Sequence, residues 1–513
     1  MDQSATEALA CGLLGTDRVP PELLARLPES TQGNPLFVRE LVRMLVDDGV
    51  LLRSNGTWVT TIDVDAIEVP PTIHSLLAAR VDRLDQAERT MLELASVIGK
   101  EFYRGAVDEL APASVRVSLD AHLESLRRKE FIEPAGTYWI DEPVFRFHHV
   151  LIRDAAYRRL LKEARAELHE LAAGWLERKT AGVLGEHDEL IGYHYEQAHE
   201  SLRQLKAPGA ERDEHAQELE RRAAHHLSAA ARSALDRDDV PAAAALSRRA
   251  LERLDHDNPD RGEILIVHCE ALLAVGDVVA ADPPVQELER IAEEASDGRL
   301  KAWATLFEFE ERIVGSPSRL PEMEERAREA ADVLSSLGDR AGAAKAHTVH
   351  ATILASLGRV TECEVALDAA LTAAREAGDR RRITDVISRA MTATLWGPSP
   401  VSRAGGRCLD LVRLSRITTN PPEVEATSLR CQAVLEAFRG RADAGRRMLR
   451  SARRSLEELG RPYGILQTEL FAGVVELTDG RPDAAAEHLE SAYEGLRGMG
   501  VQAHAARAGA LLG

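Results

Sequence analysis

Apolar and polar positions alternate at the period of an α-helix along most of this chain, and glycines punctuate the pattern at regular intervals. Gly298, Gly338, Gly378, Gly460 and Gly500 fit a spacing of about 40 residues, the missing member near 420 being replaced by the breaker "TTNPPE" at 418–423. A second series, Gly276, Gly315, Gly358, Gly397, Gly440 and Gly480, runs at intervals of 39 to 43, offset by half a period. Two interleaved turn series predict two helices per repeat. Between the turns, "CEVALDAALTAAREAGD" and "AAAEHLESAYEGLRGMG" carry Leu, Ala and Val at helical spacing. A lone hairpin of this kind exposes its apolar face, so neighbours stack, and the expected product is a helical-hairpin superhelix. The array starts near residue 220 with "AARSALDRDDVPAAAALSRRALERLD" and ends at "ARAGALLG", without a strongly polar capping face, as expected of a truncated array or a buried end.

The repeats resemble tetratricopeptide repeats in a lengthened, degenerate form. Twelve residues after Gly440 and Gly480 stand Ala452 and Ala492, each followed four residues later by Leu456 and Leu496. Small residues at that place let paired helices approach closely.

Residues 80–150 have another rhythm. Helical segments at about 85–98, 102–110 and 115–129 precede two β-prone runs around Gly136, which contain Phe131, Ile132, Tyr138, Trp139, Val144, Phe145 and Phe147. Three helices and a hairpin predict a winged helix-turn-helix. Leu161, Ala164, Leu168, Leu171 and Trp175 then step by 3 and 4, predicting one long helix over 150–178 that leads into the array. The fold class expected is all-α, with segments at 1–79, 80–150 (winged helix), 151–219 (connecting helices) and 220–513 (array).

Near the start, "TQGNPLFVRELVRMLVDDG" (31–49) reads as a capped amphipathic helix. Asn34 is the N-cap, Pro35 suits the first helical position because it has no N–H to leave unpaired, and Gly49 supplies a left-handed stop. Phe37, Leu41, Met44 and Leu45 form the buried face.

Composition narrows the function classes. The formal net charge of −20 argues against non-specific binding to nucleic acid or anionic lipid. Cys11, Cys269, Cys363, Cys408 and Cys431 are scattered without a CxxC motif, which predicts a reduced, cytoplasmic protein. Residues 1–10 show no secretory signal, and the most apolar run, "ILIVHCEALLAVGDVVAA", is broken by His268, Glu270 and Asp277, so no membrane segment is expected. Basic residues are mostly Arg and Ala is abundant, a composition of GC-rich bacterial genomes.

Candidate chemistry is sparse. The pairs His148-His149 and His225-His226 and the looser set His187, His194 and His199 lack the i, i+4 spacing of helical zinc sites, so hydrogen-bonded roles and no metal are expected. Neither a G-x-S-x-G nucleophile elbow nor a protease-type cysteine signature occurs. On the winged helix, Arg116, Arg127, Arg128 and Lys129 are the candidate DNA contacts. Asp120 and Glu124 share their helix, and an internal structural role is the expected one.

"GNPLFVRELVRMLVDDGVL", "VPPTIHSLLAARVDRLDQAERTMLELASVIGKEF" and "FRFHHVLIRDAAYRRLLKEARAELH" resemble, in order, blocks of the signal-transduction ATPases with numerous domains (STAND), specifically bacterial regulators whose ATPase module is followed by tetratricopeptide-like repeats. The resemblance implies that 1–79 is a remnant of the ATPase helical lid and that Gly33, Asn34 and Pro35 match the lid motif whose proline packs on adenine. The rest of a nucleotide site is absent from the sequence. The only Gly-Lys pair, Gly99-Lys100, is followed by Glu101 and preceded at the required position by Leu94, so it is not a P-loop. "MLVDD" at 44–48 imitates a Walker B strand within a helical segment. ATP or ADP is therefore expected only if a P-loop is supplied by sequence outside this chain.

The function expected is that of a non-catalytic regulatory sensor, not an enzyme, which binds a protein, a peptide or a small effector on the array and relays the event through the winged helix. The alternatives are a DNA-binding transcriptional regulator, or a fragment of a larger ATPase or class III adenylate cyclase polypeptide.

Overall fold

The computed structural model describes the chain apart from residues 17–18, 21–22, 25–26, 29–30, 32, 48, 55–56, 62–71, 137–141, 182–186, 206–213, 314–316, 419–421, 459 and 500–501. It contains two compact units, Met1–His226 and Leu227–Gly513. The class is all-α, with two small antiparallel sheets.

In the first unit, α1 (Gln3–Leu14) packs on α2 (Pro35–Asp47) beside a hairpin of β1 (Leu51–Ser54) and β2 (Thr57–Thr60). Asn34 caps α2: its Oδ1 accepts from the N–H groups of Leu36 (3.0 Å) and Phe37 (3.4 Å). Phe37, Leu41, Met44 and Leu45 are buried as their spacing requires, and Gly49 has a φ of +68°. "MLVDD" continues α2 through Asp47.

Helices α3 (Ile73–Asp82) and α4 (Gln86–Ile98) each open with a capping box, Thr72 with Ser75 and Asp85 with Glu88. There follow β3 (Glu101–Tyr103), α5 (Arg104–Leu110), α6 (Ala113–Arg116), α7 (Leu119–Arg128), β4 (Ile132–Gly136) and β5 (Val144–Phe147). The sheet order is β3-β5-β4, antiparallel throughout. The two β-prone runs thus form strands, joined by a third that the sequence pattern had merged into a helix at 102–110. The helix expected over 115–129 is interrupted at Val117 and Ser118, where a β-branched residue and a serine weaken helix propensity and Val117 stands 89% exposed. Tyr138 and Trp139 lie outside the described residues.

The long helix expected over 150–178 is two helices, α8 (Val150–Arg159) and α9 (Lys162–Thr180), because Leu160 and Leu161 are both extended (ψ 132° and 151°). The stripe that suggested one helix is not the buried one. Leu161 and Leu171 are exposed, while Ala166, His169, Ala172, Ala173 and Leu176 face the core with Trp175. Helix α10 (Asp188–Arg203) packs on α9. Helix α11 (Glu214–Asp236) runs through residue 226 into the second unit.

The second unit continues as helical hairpins: α12 (Val240–Leu251) follows α11, then α13 (Arg261–Val275) pairs with α14 (Val278–Ala295), α15 (Gly298–Arg312) with α16 (Leu320–Ser336), and α17 (Arg340–Ser356) with α18 (Val360–Ala377). Next come α19 (Arg380–Trp396) with α20 (Val401–Thr418), α21 (Pro422–Phe438) with α22 (Ala442–Glu458), α23 (Pro462–Thr478) with α24 (Pro482–Gly498), and finally α25 (Gln502–Leu512). One hydrophobic core runs from Leu265 to Ala508, since each hairpin covers the apolar face of the next.

The turn chemistry explains the repeat. At Gly276, Gly338 and Gly378 the glycine takes the left-handed conformation and the following Asp caps the next helix. Two turns differ from the glycine series: at 296–298 the left-handed residue is Ser296 (φ +52°) and Gly298 is already helical, and Gly397 is extended (φ −74°). Gly315 and Gly500 lie outside the described residues. Ala452 and Ala492 are fully buried with Leu456 and Leu496, which fixes the helix register read from the sequence.

Candidate functional site

In the second unit the first helices of successive hairpins, α13, α15, α17, α19, α21 and α23, pack on one another along the stack. The side where successive helices approach most closely is concave, so these six form the inner face.

Charged side chains gather there from distant positions. Arg382 on α19 donates to Glu270 on α13 (2.9 Å) and forms an ion pair with Asp379 (2.7 Å), and its guanidinium lies 5.5 Å over the Trp303 ring. Arg381 reaches Glu270 (3.4 Å) and Asp238 (3.9 Å), and Arg461, at the entry to α23, also pairs with Asp238 (3.3 Å). Lys345 on α17 meets Glu310 on α15 at 2.6 Å, with its ammonium above the Phe307 ring. Asp339 accepts from the Trp303 indole (2.9 Å), from Arg299 (2.7 Å) and from the Gly342 N–H (2.7 Å). Further along, Arg389 binds Asp385 (2.9 Å) and the Thr352 hydroxyl (3.2 Å).

Electrostatics keep this lining ionised. Burial alone would raise the Glu270 carboxyl, but Arg382, Lys345 and Arg381 hold it below the ordinary glutamate range. Asp385, half exposed, is held below the ordinary aspartate range, desolvation opposing this and Arg389 outweighing it. Asp236, at the end of α11, is raised by burial and by Asp379 and Glu270. The inner face is therefore an alternation of fixed charges with hydroxyl and indole donors between them. Charged groups of this kind can form charge-assisted hydrogen bonds.

The residues singled out from sequence are elsewhere. Gly33 is buried, and its φ of +69° and the Met1 backbone packed against it leave no room for a Cβ. Asn34 is used as a cap, and Pro35 is exposed. Of the four basic residues, Arg127 pairs with Glu124 on its own helix (2.6 Å), and Lys129 grips the buried Glu88 (2.6 Å). Arg116 donates to the carbonyls of Glu109 and Ala111 (both 3.1 Å), and Arg128 is exposed.

Several of the histidines are hydrogen-bonded. His149 caps α8, and His169 and His194 meet Nδ1 to Nδ1 at 2.9 Å in the core, with Tyr157 on the far nitrogen of His169. Burial lowers both of that pair, His194 to about 4, so they are neutral. His226 bridges Asp188 (2.7 Å) and Glu177 (2.9 Å). Among the described residues no group of three or more His, Cys, Asp or Glu side chains is placed to hold a metal ion, and no helix is long and apolar enough to cross a membrane. Sequence reasoning missed the inner-face ions. The one available signal was a charge inside an apolar inner-helix run, as at Glu270 in "ILIVHCEALLAV".

A family described as a domain of unknown function (DUF8739) matches residues 2–55. No curated protein matches the sequence. Among solved structures, the chain is similar to a STAND protein with a tetratricopeptide repeat sensor from Pyrococcus horikoshii, at 14% identity and a TM-score of 0.40, over 99% of this chain and 75% of that one. It is also similar to the apo form of RapI (12% identity, TM-score 0.44, 80% of this chain and 98% of that one). A third is a Rap protein complexed with competence and sporulation factor (11% identity, TM-score 0.31, 85% and 97%).

Proposed function

We propose that this chain is a non-catalytic regulatory sensor of a bacterial signalling system, whose helical array captures a protein, a peptide or a small effector on its inner face. In this reading residues 80–150 are a winged helix of structural, not DNA-reading, use, and α11, shared by sequence between the two units, carries the captured signal toward them. The observation that supports it is the inner face itself. Glu270, Glu310, Lys345, Arg381, Arg382, Asp385 and Arg389 are drawn from four different helices onto one lining. Buried apolar contacts hold the stack together, and this ionic lining adds to them while presenting charge suited to a polar ligand.

The engaged state of Arg116, Arg127 and Lys129 favours the structural use of the winged helix over the transcriptional alternative. Lid residues 33–35 contribute a helix cap in this reading, with no nucleotide.

The test is capture from a bacterial lysate with the full chain and with an Asp385→Lys/Arg389→Glu variant, both shown to melt at the same temperature. The reading expects a specific protein or peptide retained by the first and lost by the second. Retention by both places the binding surface elsewhere. Calorimetric titration with ATP and ADP probes the opposite side: binding that disappears in Pro35→Ala contradicts a non-nucleotide role.

A further inference from the structure

Several turns of the second unit share one construction, a left-handed residue followed by an aspartate that caps the next helix. At Gly276, Gly338 and Gly378 the left-handed residue is glycine. In the turn between α11 and α12 it is Asp238 (φ +62°), followed by the cap Asp239, whose Oδ1 accepts from the Ala242 N–H at 3.3 Å. The N–H groups of Asp238 and Asp239 close the turn on the carbonyls of Leu235 (2.9 Å) and Ala234 (2.8 Å), the same pattern that Gly338 and Asp339 make with Ser335 (3.2 Å) and Leu334 (2.9 Å). Glycine would satisfy this backbone without steric cost, since a Cβ in the left-handed region crowds the following carbonyl. A side chain kept there points to a use for its carboxylate.

That carboxylate reaches across the superhelix. Oδ2 of Asp238 meets Arg461, at the entry to α23, at 3.3 Å, and Oδ1 lies 3.9 Å from Arg381 at the start of α19. These pairs differ from the Glu270–Arg382 bridge beside them. The Glu270 and Arg382 side chains are enclosed, at 9% and 12% exposure, whereas those of Asp238 and Arg461 are 57% and 48% exposed. Arg381 is shared loosely between Asp238 and Glu270 (3.4 Å). An exposed ion pair adds little stability and is screened by salt, while an enclosed one is screened much less. The array thus carries a firm bridge between α13 and α19 and, next to it, a breakable contact that joins the end of α11 to the entries of α19 and α23.

We propose that Asp238 is a strap across the inner face: paired with Arg381 and Arg461 it holds the α11–α12 turn against the entries of α19 and α23, and its release lets that turn swing outward and open the lining. The inference rests on the reading of the inner face as a binding surface and supplies the regulation of that surface. Because the strap is weak, closed and open forms lie close in free energy, and a ligand needs only a modest preference for one of them to shift the balance. A ligand that brings its own carboxylate competes directly for Arg381 and Arg461. Release also frees the end of α11, the helix that carries the signal in that reading.

The test is a distance measurement by pulsed electron paramagnetic resonance on the full chain without ligand. Spin labels are placed at Ala245→Cys on α12 and Glu458→Cys on α22, both exposed, in a Cys11→Ser background whose other cysteines are buried. With Asp238 intact, one short distance is expected at low salt, and a longer one should replace it at high salt. Asp238→Gly keeps the turn backbone and removes the carboxylate, so it should show the longer distance at both salt concentrations. If Asp238→Gly does not fold, Arg461→Gln takes its place with the same expectation. Equal distances with and without the strap residue, or a distance that salt leaves unchanged when Asp238 is intact, overturn the proposal. No ligand enters the measurement, so its failure is distinguishable from failure of the capture experiment.

Discussion

Glu270 and Arg382 are 112 residues apart in sequence and 2.8 Å apart in space. Their helices, α13 and α19, belong to hairpins separated by two others, so the inner face of the second unit turns tightly enough for side chains to meet across it. Asp238 and Arg461, 223 residues apart, make the same kind of contact nearer the ends.

Glu270 is 8% exposed, and its removal strands Arg381 and Arg382 in a poorly solvated place. Breaking a buried pair by deleting one partner costs about 3 to 5 kcal/mol. Glu270→Ala is therefore expected to lower the unfolding midpoint markedly, and Glu270→Gln with Arg382→Gln to recover part of the loss. The pH sign follows from a carboxyl held low. Its contribution is present above the ordinary glutamate pKa and is lost as pH falls through the folded value. Urea unfolding between neutral and acid pH should show a steeper loss in the native chain than in Glu270→Gln.

His226 gives the opposite dependence. Burial would lower it, but hydrogen bonds donated by its ring to Asp188 and Glu177 raise it to about 9. A histidine raised from its unfolded value near 6.5 stabilises fully below that value and loses the contribution as pH climbs through 9. With the side chain only 14% exposed, the difference is on the order of 3 kcal/mol. His226→Gln should therefore be less stable than the native chain at pH 6 and nearly equal to it at pH 10, as measured by chemical denaturation of the full chain. A constant gap across that range would show that His226 serves by packing alone.

Helix contact in the array is close enough to be tested by a single methyl group. A Cβ on Gly445 of α22 would lie 2.6 Å from the Ala433 carbonyl oxygen of α21, and backbone cannot step aside as a side chain can. Gly445→Ala should cost about 1 to 3 kcal/mol or more by overpacking. Gly406 on α20 is exposed with nothing within 4 Å, so Gly406→Ala should instead stabilise by roughly 0.5 to 1 kcal/mol. Thermal scans of the two variants should move in opposite directions.

These contrasts show what the chain makes legible. Local chemistry was readable: Gly358, Gly378 and Gly440 take the left-handed turn, and Ala452 and Ala492 mark the tight register. The break at Leu160–Leu161 was not, since two leucines offer neither a cap nor a glycine and only tertiary packing selects their extended conformation. Nor were the partners of Glu270 and Asp238. An ion pair spanning several repeats leaves no periodic trace, and the helical pattern treats each such charge as a solvated position. For the positions read from resemblance as lid and winged helix, the sequence says nothing of their engagement, as with Lys129, held by Glu88.

That engagement bears on nucleic acid. Of Arg116, Arg127, Arg128 and Lys129, three are committed to protein acceptors, and phosphate contact by any of them would first have to release Glu124, Glu88 or a backbone carbonyl. Only Arg128 offers its charge without such an exchange, and the net charge of −20 opposes the approach of a duplex. Each phosphate neutralised contributes a slope of about −0.9 to log K against log salt, so one or two contacts give a slope no steeper than about −2. Fluorescence anisotropy with the full chain and mixed-sequence duplexes should therefore show weak binding at low salt, without sequence preference, that vanishes at physiological salt. Arg127→Ala should change it little, since Glu124 already occupies that guanidinium. A tight complex with one sequence at physiological salt, abolished by Arg127→Ala with Arg128→Ala, would mean that the ion pairs open on DNA and that the chain is a transcriptional regulator.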